Sequence, residues 1–470
     1  MKSTSLIPLV LLCSSLAGLT GCSQLTPSRA APPLPQKFTL SLASSTPTSQ
    51  AWSSFGDAGL SAWIKQVWAE NSELSLGLAR LDSAAIELRL VRAQQAVGIN
   101  LEQAVERKKI SKLDLGESES SNPSNRYASQ FSLGYEIDLR GRLAASLRAG
   151  KAEQTASQFD LAALRLSLAR QTAELWLSRA ELQSNLESTQ QTLQLRQQWR
   201  QAEQAKFRAG LSNWQTVQEQ EYSILSANLL LSKQKEALQS IERSLCLLAN
   251  AVPSECRLPA AKTLTNLTLP QFGNGLPAQL LQQRPDLAAA QARYDAARAR
   301  IDEANAARWP SLSIAGVLGV NAASPAGLFK QGASNWSLMP QLSLPILDGG
   351  RREAEVEKSQ AAAAQQYSQW HAAITRAVHE VENGSAAMLQ STVNYQSLQA
   401  QRAIQLQQLN NARAARHAGL AQGQAEWRSQ LAVLQIEQDC LAAKREQLLA
   451  SVNLLAALGG GWQRETGTTP

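Results

Sequence analysis

The sequence predicts a mostly α-helical protein with a smaller, membrane-type β component: long coiled-coil helices plus four β-strands, built from one unit used twice. Three observations carry this. Gly141-Arg142 opens a run that ends at Ala209-Gly210-Leu211, and Gly350-Arg351 opens another that ends at Ala418-Gly419-Leu420, so that both pairs of landmarks share one offset in sequence. Self-similarity over that span marks a duplicated architecture rather than unrelated domains in series. Prolines avoid both runs: none lies between Pro123 and Pro253 or between Pro345 and Pro470, whereas nine fall from Pro253 to Pro345. Lastly, Phe131, Leu133, Tyr135, Ile137 and Leu139 alternate with polar residues at the two-residue period of a strand.

Met1-Lys2 followed by the apolar stretch Leu6 to Leu19 reads as a secretory signal over residues 1–21, too short to span a membrane. It ends in Leu19-Thr20-Gly21-Cys22, which resembles the bacterial lipobox, and Cys22 is then the lipidated N-terminus of the mature chain. An ordinary signal peptide with an incidental cysteine is the alternative. Two or more acyl chains make a stable anchor, and Ser23, where aspartate resembles an inner-membrane retention signal, points to the outer membrane. Residues 22–51, rich in Pro, Ser, Thr and Ala, read as an extended tether.

The first repeat spans 52–250. Leu60, Trp63, Ile64, Val67 and Trp68 keep helical spacing, and a second helix follows Asn71 to about Ala96. Leu74, Ala79, Arg80 and Asp82 of that helix recur as Leu287, Ala292, Arg293 and Asp295, all four at one offset slightly longer than that of the glycine landmarks. The difference places a short length change in the segments between, where strands are expected. Those segments give one hairpin at about 98–140 and one at about 311–348. Ile99, Leu101, Gln103 and Val105 pair with the Phe131 strand, and Leu312, Ile314, Leu318 and Val320 pair with a strand carrying Leu338, Leu342, Leu344 and Ile346. Strands of roughly nine residues cross a bilayer at a tilt. Asn100, Glu102, Glu136 and Asp138 on the other face suit a watery lumen; half-buried strands of a soluble sheet remain the alternative. Four strands cannot close a membrane barrel, so spanning strands require several copies of the chain.

Beyond each hairpin comes a long rod. Between Arg142 and Arg208 there is no proline and one glycine, with Leu161, Leu164, Leu168 and Leu175 on one seam. Unbroken, such a helix reaches about 100 Å. Trp427, Leu431, Leu434, Leu441, Leu448, Val452 and Leu455 form a seam beyond the second glycine turn. A linker at 251–280 separates the repeats, the second repeat spans 281–458, and 459–470 is a C-terminal tail.

A net charge of +7 without a Lys/Arg stripe argues against nucleic-acid binding. The three histidines, His371, His379 and His417, are far apart and sit in no nucleophile or metal signature, so no catalytic residue, metal site or cofactor is expected beyond lipid on Cys22. Energy for any transport must then come from a partner. Cys246 and Cys256, separated by a segment that contains Pro253, could close a loop in an oxidising compartment.

Several motifs in order resemble the TolC family of outer-membrane efflux proteins, in particular its lipoprotein branch associated with RND-type pumps. They are Trp52-Ser-Ser-Phe-Gly-Asp with Asn71 after it; Phe131 to Arg142; Arg284-Pro285-Asp286-Leu287 leading to Trp309-Pro310-Ser311-Leu312; Leu344 to Arg351; Glu380-Val381-Glu382; and Ala457 to Trp462. The resemblance implies a homotrimer whose twelve-stranded β-barrel continues into a helical tunnel through the periplasm. Gly141, Arg142, Gly350 and Arg351 then mark strand-to-helix junctions. Arg208, Gly210, Leu211, Ser212, Arg416, Gly419 and Leu420 mark hairpin tips that meet a periplasmic adaptor protein, itself coupled to an inner-membrane RND-type pump. Relatives carry an acidic residue about nine positions after the second tip glycine, at the periplasmic aperture. Here Arg428 stands there, and the expectation is that Glu426 pairs with Arg428. The function implied is a passive exit duct of an efflux pump. The duct of a type I protein-secretion system and a non-conducting, periplasm-spanning lipoprotein are the alternatives.

Overall fold

A computed structural model of the chain describes residues 51–109, 123–270 and 283–462. The signal segment, Cys22, most of the tether and most of the tail lie outside the described residues. The chain divides into two compact units. One draws its described residues from Asp82–Thr155 and Gln291–Gln369, the other from Pro32–Leu81, Ala156–Ala290 and Trp370–Pro470.

Seven α-helices and four strands are described. In chain order these are α1 Ala58–Glu70, α2 Ser72–Ala93, β1 Gly98–Lys108, β2 Ser124–Ile137, α3 Arg142–Arg208 and α4 Trp214–Leu248 from the first repeat. From the second come α5 Pro285–Ala306, β3 Ser311–Ala322, β4 Ser334–Ser343, α6 Arg351–His417 and α7 Gly423–Ala457. In three pairs of helices the repeat is kept to the residue. α3 and α6 are each 67 residues long, α4 and α7 are each 35, and α2 and α5 are each 22. The two longer pairs start at the same offset that separates the glycine landmarks, and the shortest pair starts at the slightly longer offset of the Leu74 and Leu287 motif.

In the first unit the strands form one antiparallel sheet in the order β1-β2-β3-β4, so the two expected hairpins are joined through β2 and β3. Register explains the alternation. Ile99, Leu133, Gly316 and Leu338 lie side by side across the sheet, as do Leu101, Phe131, Leu318 and Trp336. Most of these are large apolar side chains left exposed. Because side chains alternate between faces, the intervening rows are largely polar: Asn100, Ser132 and Ser337 with Val317 in one, Glu102, Gln130 and Asn335 with Gly319 in the next. Glu102 accepts from Gln130 Nε2 at 3.1 Å and Ser132 Oγ at 3.0 Å, which ties β1 to β2 on that face.

Two strand ends fall short of the expectation. β2 stops at Ile137 and β4 at Ser343, so Leu139, Leu344 and Ile346 lie outside the sheet. Leu139 N–H turns back onto the Ile137 carbonyl at 2.9 Å, and Pro345 has no N–H to continue a ladder. The helices of this unit are tied by Arg148 to Asp302 at 3.0 Å and Arg300 to Glu153 at 3.0 Å. Gly150 lets α3 approach α2, where an added Cβ would meet Leu88 at 3.2 Å.

The second unit is centred on α1. Asp57 caps it, accepting from the Gly59 and Leu60 N–H groups at 2.8 and 3.2 Å. The other carboxylate oxygen accepts from Trp176 Nε1 at 2.9 Å and Lys262 N–H at 3.3 Å. Leu60, Trp63, Ile64 and Val67 bury one face of α1, each contributing about 1.5–3 kcal/mol by leaving water. Gly59 must be glycine, since a Cβ there would stand 2.8 Å from the Ala260 carbonyl. Along the rods, Arg200 pairs with Glu221 at 2.5 Å to join α3 to α4, and Arg402 pairs with Glu437 at 2.8 Å to join α6 to α7.

Candidate functional site

Both rods end in the same backbone device. At the first tip Gly210 has φ 73° and Leu211 N–H reaches the Lys206 carbonyl at 2.8 Å; at the second, Gly419 has φ 72° and Leu420 N–H reaches the Ala415 carbonyl at 2.9 Å. This six-to-one bond satisfies carbonyls that a helix end leaves free, and the left-handed residue it needs favours glycine. It also turns the next side chain outward, so Leu211 is 78 % and Leu420 83 % exposed. Arg208 and Arg416 are exposed beside them.

Beneath each tip lies one buried carboxylate. Glu203, 0 % exposed, accepts from Lys206 Nζ at 3.0 Å, Ser212 Oγ at 3.0 Å, Trp199 Nε1 at 3.3 Å and Gln424 Nε2 at 2.8 Å. It therefore anchors its own turn through Ser212 and reaches the start of α7 through Gln424. Trp199 and Trp427 stack nearby, with centroids 5.7 Å apart. Burial alone would raise the Glu203 pKa, but the hydrogen bonds from Gln424, Lys206 and Ser212, with the Lys206 charge, hold it below the usual carboxylate range.

The expected pairing of Glu426 with Arg428 is not formed. Glu426 accepts from Arg416 Nη1 at 2.5 Å and Gln430 Nε2 at 3.1 Å, and it pairs with Arg413 at 3.5 Å. Residues two apart on a helix point about 200° away from each other, so Glu426 turns to α6 while Arg428 stays exposed. The hydrogen bond from Arg416 is the main reason the Glu426 carboxyl is held below its ordinary range. The charges of Arg416 and Arg413 add to this and burial opposes it.

At the strand-to-helix junctions the two halves use glycine alike and arginine differently. Gly141 has φ 75° and Gly350 φ 82°. Asp138 accepts from Ala144 N–H at 2.8 Å at the start of α3, and Arg142 forks onto Glu136 at 2.8 and 2.9 Å. In the second half Arg352, rather than Arg351, makes the tie, donating to the Ala307 carbonyl and pairing with Asp348 at 3.7 Å. Cys246 and Cys256 are bonded to each other. Three motifs that are distant in sequence meet at one side chain: Arg284 pairs with Asp286 at 2.8 Å and Glu380 at 2.7 Å, and donates to the Ala457 carbonyl at 2.9 Å.

Among the described residues no helix is long and apolar enough to cross a membrane, and no three His, Cys, Asp or Glu side chains are placed to hold a metal. A sheet with an exposed apolar face and a largely polar reverse, in a chain that also carries long helical hairpins with exposed glycine-turn tips, fits a channel-forming class of outer-membrane protein. The chain belongs to the outer membrane efflux protein family, whose model matches residues 63–251 and 276–460. It is 27 % identical over 413 residues to the outer membrane protein OprJ of Pseudomonas aeruginosa, covering 87 % of this chain and 86 % of that one. To the cation efflux system protein CusC of Escherichia coli O6:H1 it is 27 % identical, covering 99 % of this chain and all of the relative. A solved membrane protein of Pseudomonas aeruginosa superposes with a TM-score of 0.84 at 26 % identity, over 93 % of this chain and the whole of that chain. The protein is an outer-membrane efflux channel.

Proposed function

We propose that this chain is the exit duct of a three-component efflux pump. Three copies close a twelve-stranded barrel, four strands from each, and substrates delivered by an inner-membrane RND-type transporter diffuse out through it without energy input from the duct. Lipid on Cys22 anchors each copy to the outer membrane. A periplasmic adaptor docks on the tips through the surface formed by Arg208, Gly210, Leu211, Ser212, Arg416, Gly419 and Leu420.

The observation that supports this best is the sheet itself. Its apolar rows run across all four strands, yet β1 and β4 each keep one unpaired edge among the described residues. In hydrocarbon every unpaired backbone group costs several kcal/mol, so a lipid-facing sheet with two free edges is complete only when β1 of one copy meets β4 of another. The exposed leucines at the tips are a second support, because apolar side chains held outward by a backbone turn suit a protein partner.

Single cysteines placed on β1 and on β4 test the arrangement. Oxidation of the doubly substituted protein in membranes is expected to give dimers and trimers, and each single variant neither. A ladder that continues past three, or none at all with any residue pair along the two strands, contradicts the closed trimer. Replacing Cys22 with Ser is expected to abolish incorporation of labelled fatty acid; retained label contradicts the anchor.

A further inference from the structure

The duplication extends to two helix ends whose fastenings differ. α4 ends with Asn250 at φ 51° and Ala251 N–H on the Cys246 carbonyl at 2.9 Å. At the matching positions of the second repeat, α7 ends with Gly459 at φ 93° and Gly460 N–H on the Leu455 carbonyl at 2.8 Å. Each end also gives its last carbonyl to a side chain from the start of another helix. Asn71 caps α2 through Oδ1, accepting from the Glu73 and Leu74 N–H groups, while its Nδ2 donates to the Leu248 carbonyl at 2.8 Å. Arg284 precedes α5 and is the repeat counterpart of Asn71, as Leu287 is of Leu74; its Nη1 donates to the Ala457 carbonyl at 2.9 Å. Both side chains are buried. A 35-residue helix is thus spliced to a 22-residue helix twice, by residues at equivalent positions.

What holds each helix end beside its splice is different. Next to the first, Cys246 in the last turn of α4 is bonded to Cys256. At the second, the counterpart of Cys246 is Leu455, and the fastening is ionic: Arg284 is held by Asp286 and Glu380, both half-exposed. The counterpart of Glu380 in the first repeat is the neutral Gln171. In the single chain Asp286 and Glu380 open onto a cavity of about 570 Å³ that is also lined by Arg170, Asn383 and Asn453.

We infer that the two splices are unequal couplings: at the first, a disulfide staples the end of α4 to the loop that follows it, so that this end answers to reductant, while the second is held by an ion cluster and answers to salt. Arg284 is the positioning residue that seats the α6–α7 hairpin on α5. This does not depend on the duct reading, because it is measured on the purified chain without transport.

Hydrogen exchange on the full chain in detergent, with and without reductant and at low and high salt, separates the couplings. Raising salt from about 0.05 to about 1 M shortens the screening length from over 10 Å to about 3 Å. Amides at the end of α7, through Gly460, are expected to exchange about fivefold faster, the strength of a half-exposed ion pair. Amides at the end of α4 are expected to hold until reductant is added. Glu380→Gln, which leaves Arg284 its other two partners, is expected to give fast exchange at low salt and to remove most of the salt response. Arg284→Lys is expected to keep part of that response and Arg284→Gln none. Equal salt responses at the two ends, a full salt response in Glu380→Gln, or no response of the α4 end to reductant would each overturn the inference.

Discussion

Asp57 shows how much one carboxylate can organise: it caps α1 and also takes the Trp176 indole and the Lys262 amide, two partners far away in sequence. Asp57→Ala is expected to cost about 2–4 kcal/mol, the loss of a cap plus an unpaired buried donor, read as a lower denaturation midpoint in detergent. Glu426 makes a pH-dependent contribution. Its pKa is lowered in the folded chain, so its stabilisation is present above the unfolded carboxylate value of about 4.3 and is lost as pH falls through the folded value. Protease cleavage at the second tip is therefore expected to rise only below about pH 4, whereas Glu426→Gln makes cleavage high and flat with pH. A pH-independent wild type contradicts this. Lys444 is the opposite case, a buried cation whose burial lowers its pKa and whose ammonium donates to Gln447 Oε1 at 3.3 Å. Being depressed, it destabilises the fold while charged. Lys444→Met is expected to leave stability unchanged or raise it by about 1 kcal/mol; a clear loss in thermal unfolding shows that the ammonium is needed.

At the scale of elements, the duplication was legible because helices of equal length leave equal spacings between glycines and arginines. The strands were legible because one face is apolar and the other polar. Their ends were not, since the turn at Leu139 and the break near Pro345 depend on local backbone bonding rather than on alternation. Nor were the carboxylates under the tips. Glu203 matters through Gln424, 221 residues away, and no periodicity relates the two. Glu426 was visible only as the acid two residues before Arg428, and its partners lie on the preceding helix, not two residues along its own. Arg284 stood out as part of a motif, while its role emerges only when its carbonyl partner, 173 residues on, is in view. One prediction belongs here. A Cβ at position 319 would sit 2.5 Å from Gln130 Cβ and from the Ser129 carbonyl, so Gly319→Val is expected to part β2 from β3. The heat-modifiable migration of a folded barrel should then be lost, and unchanged migration contradicts the β2–β3 register.

For the whole molecule, one physical observation governs the proposal: among the described residues the sheet of a single chain has an exposed apolar face and two unpaired edges. The repeat supplies four strands per chain, and each tip carries an exposed leucine, Leu211 or Leu420. The most direct measurement is single-channel recording from purified, lipidated protein in planar bilayers, with its mass in detergent determined on the same preparation. The account predicts a trimer that produces discrete, long-lived conductance steps. A monomer that leaves the bilayer silent would contradict it.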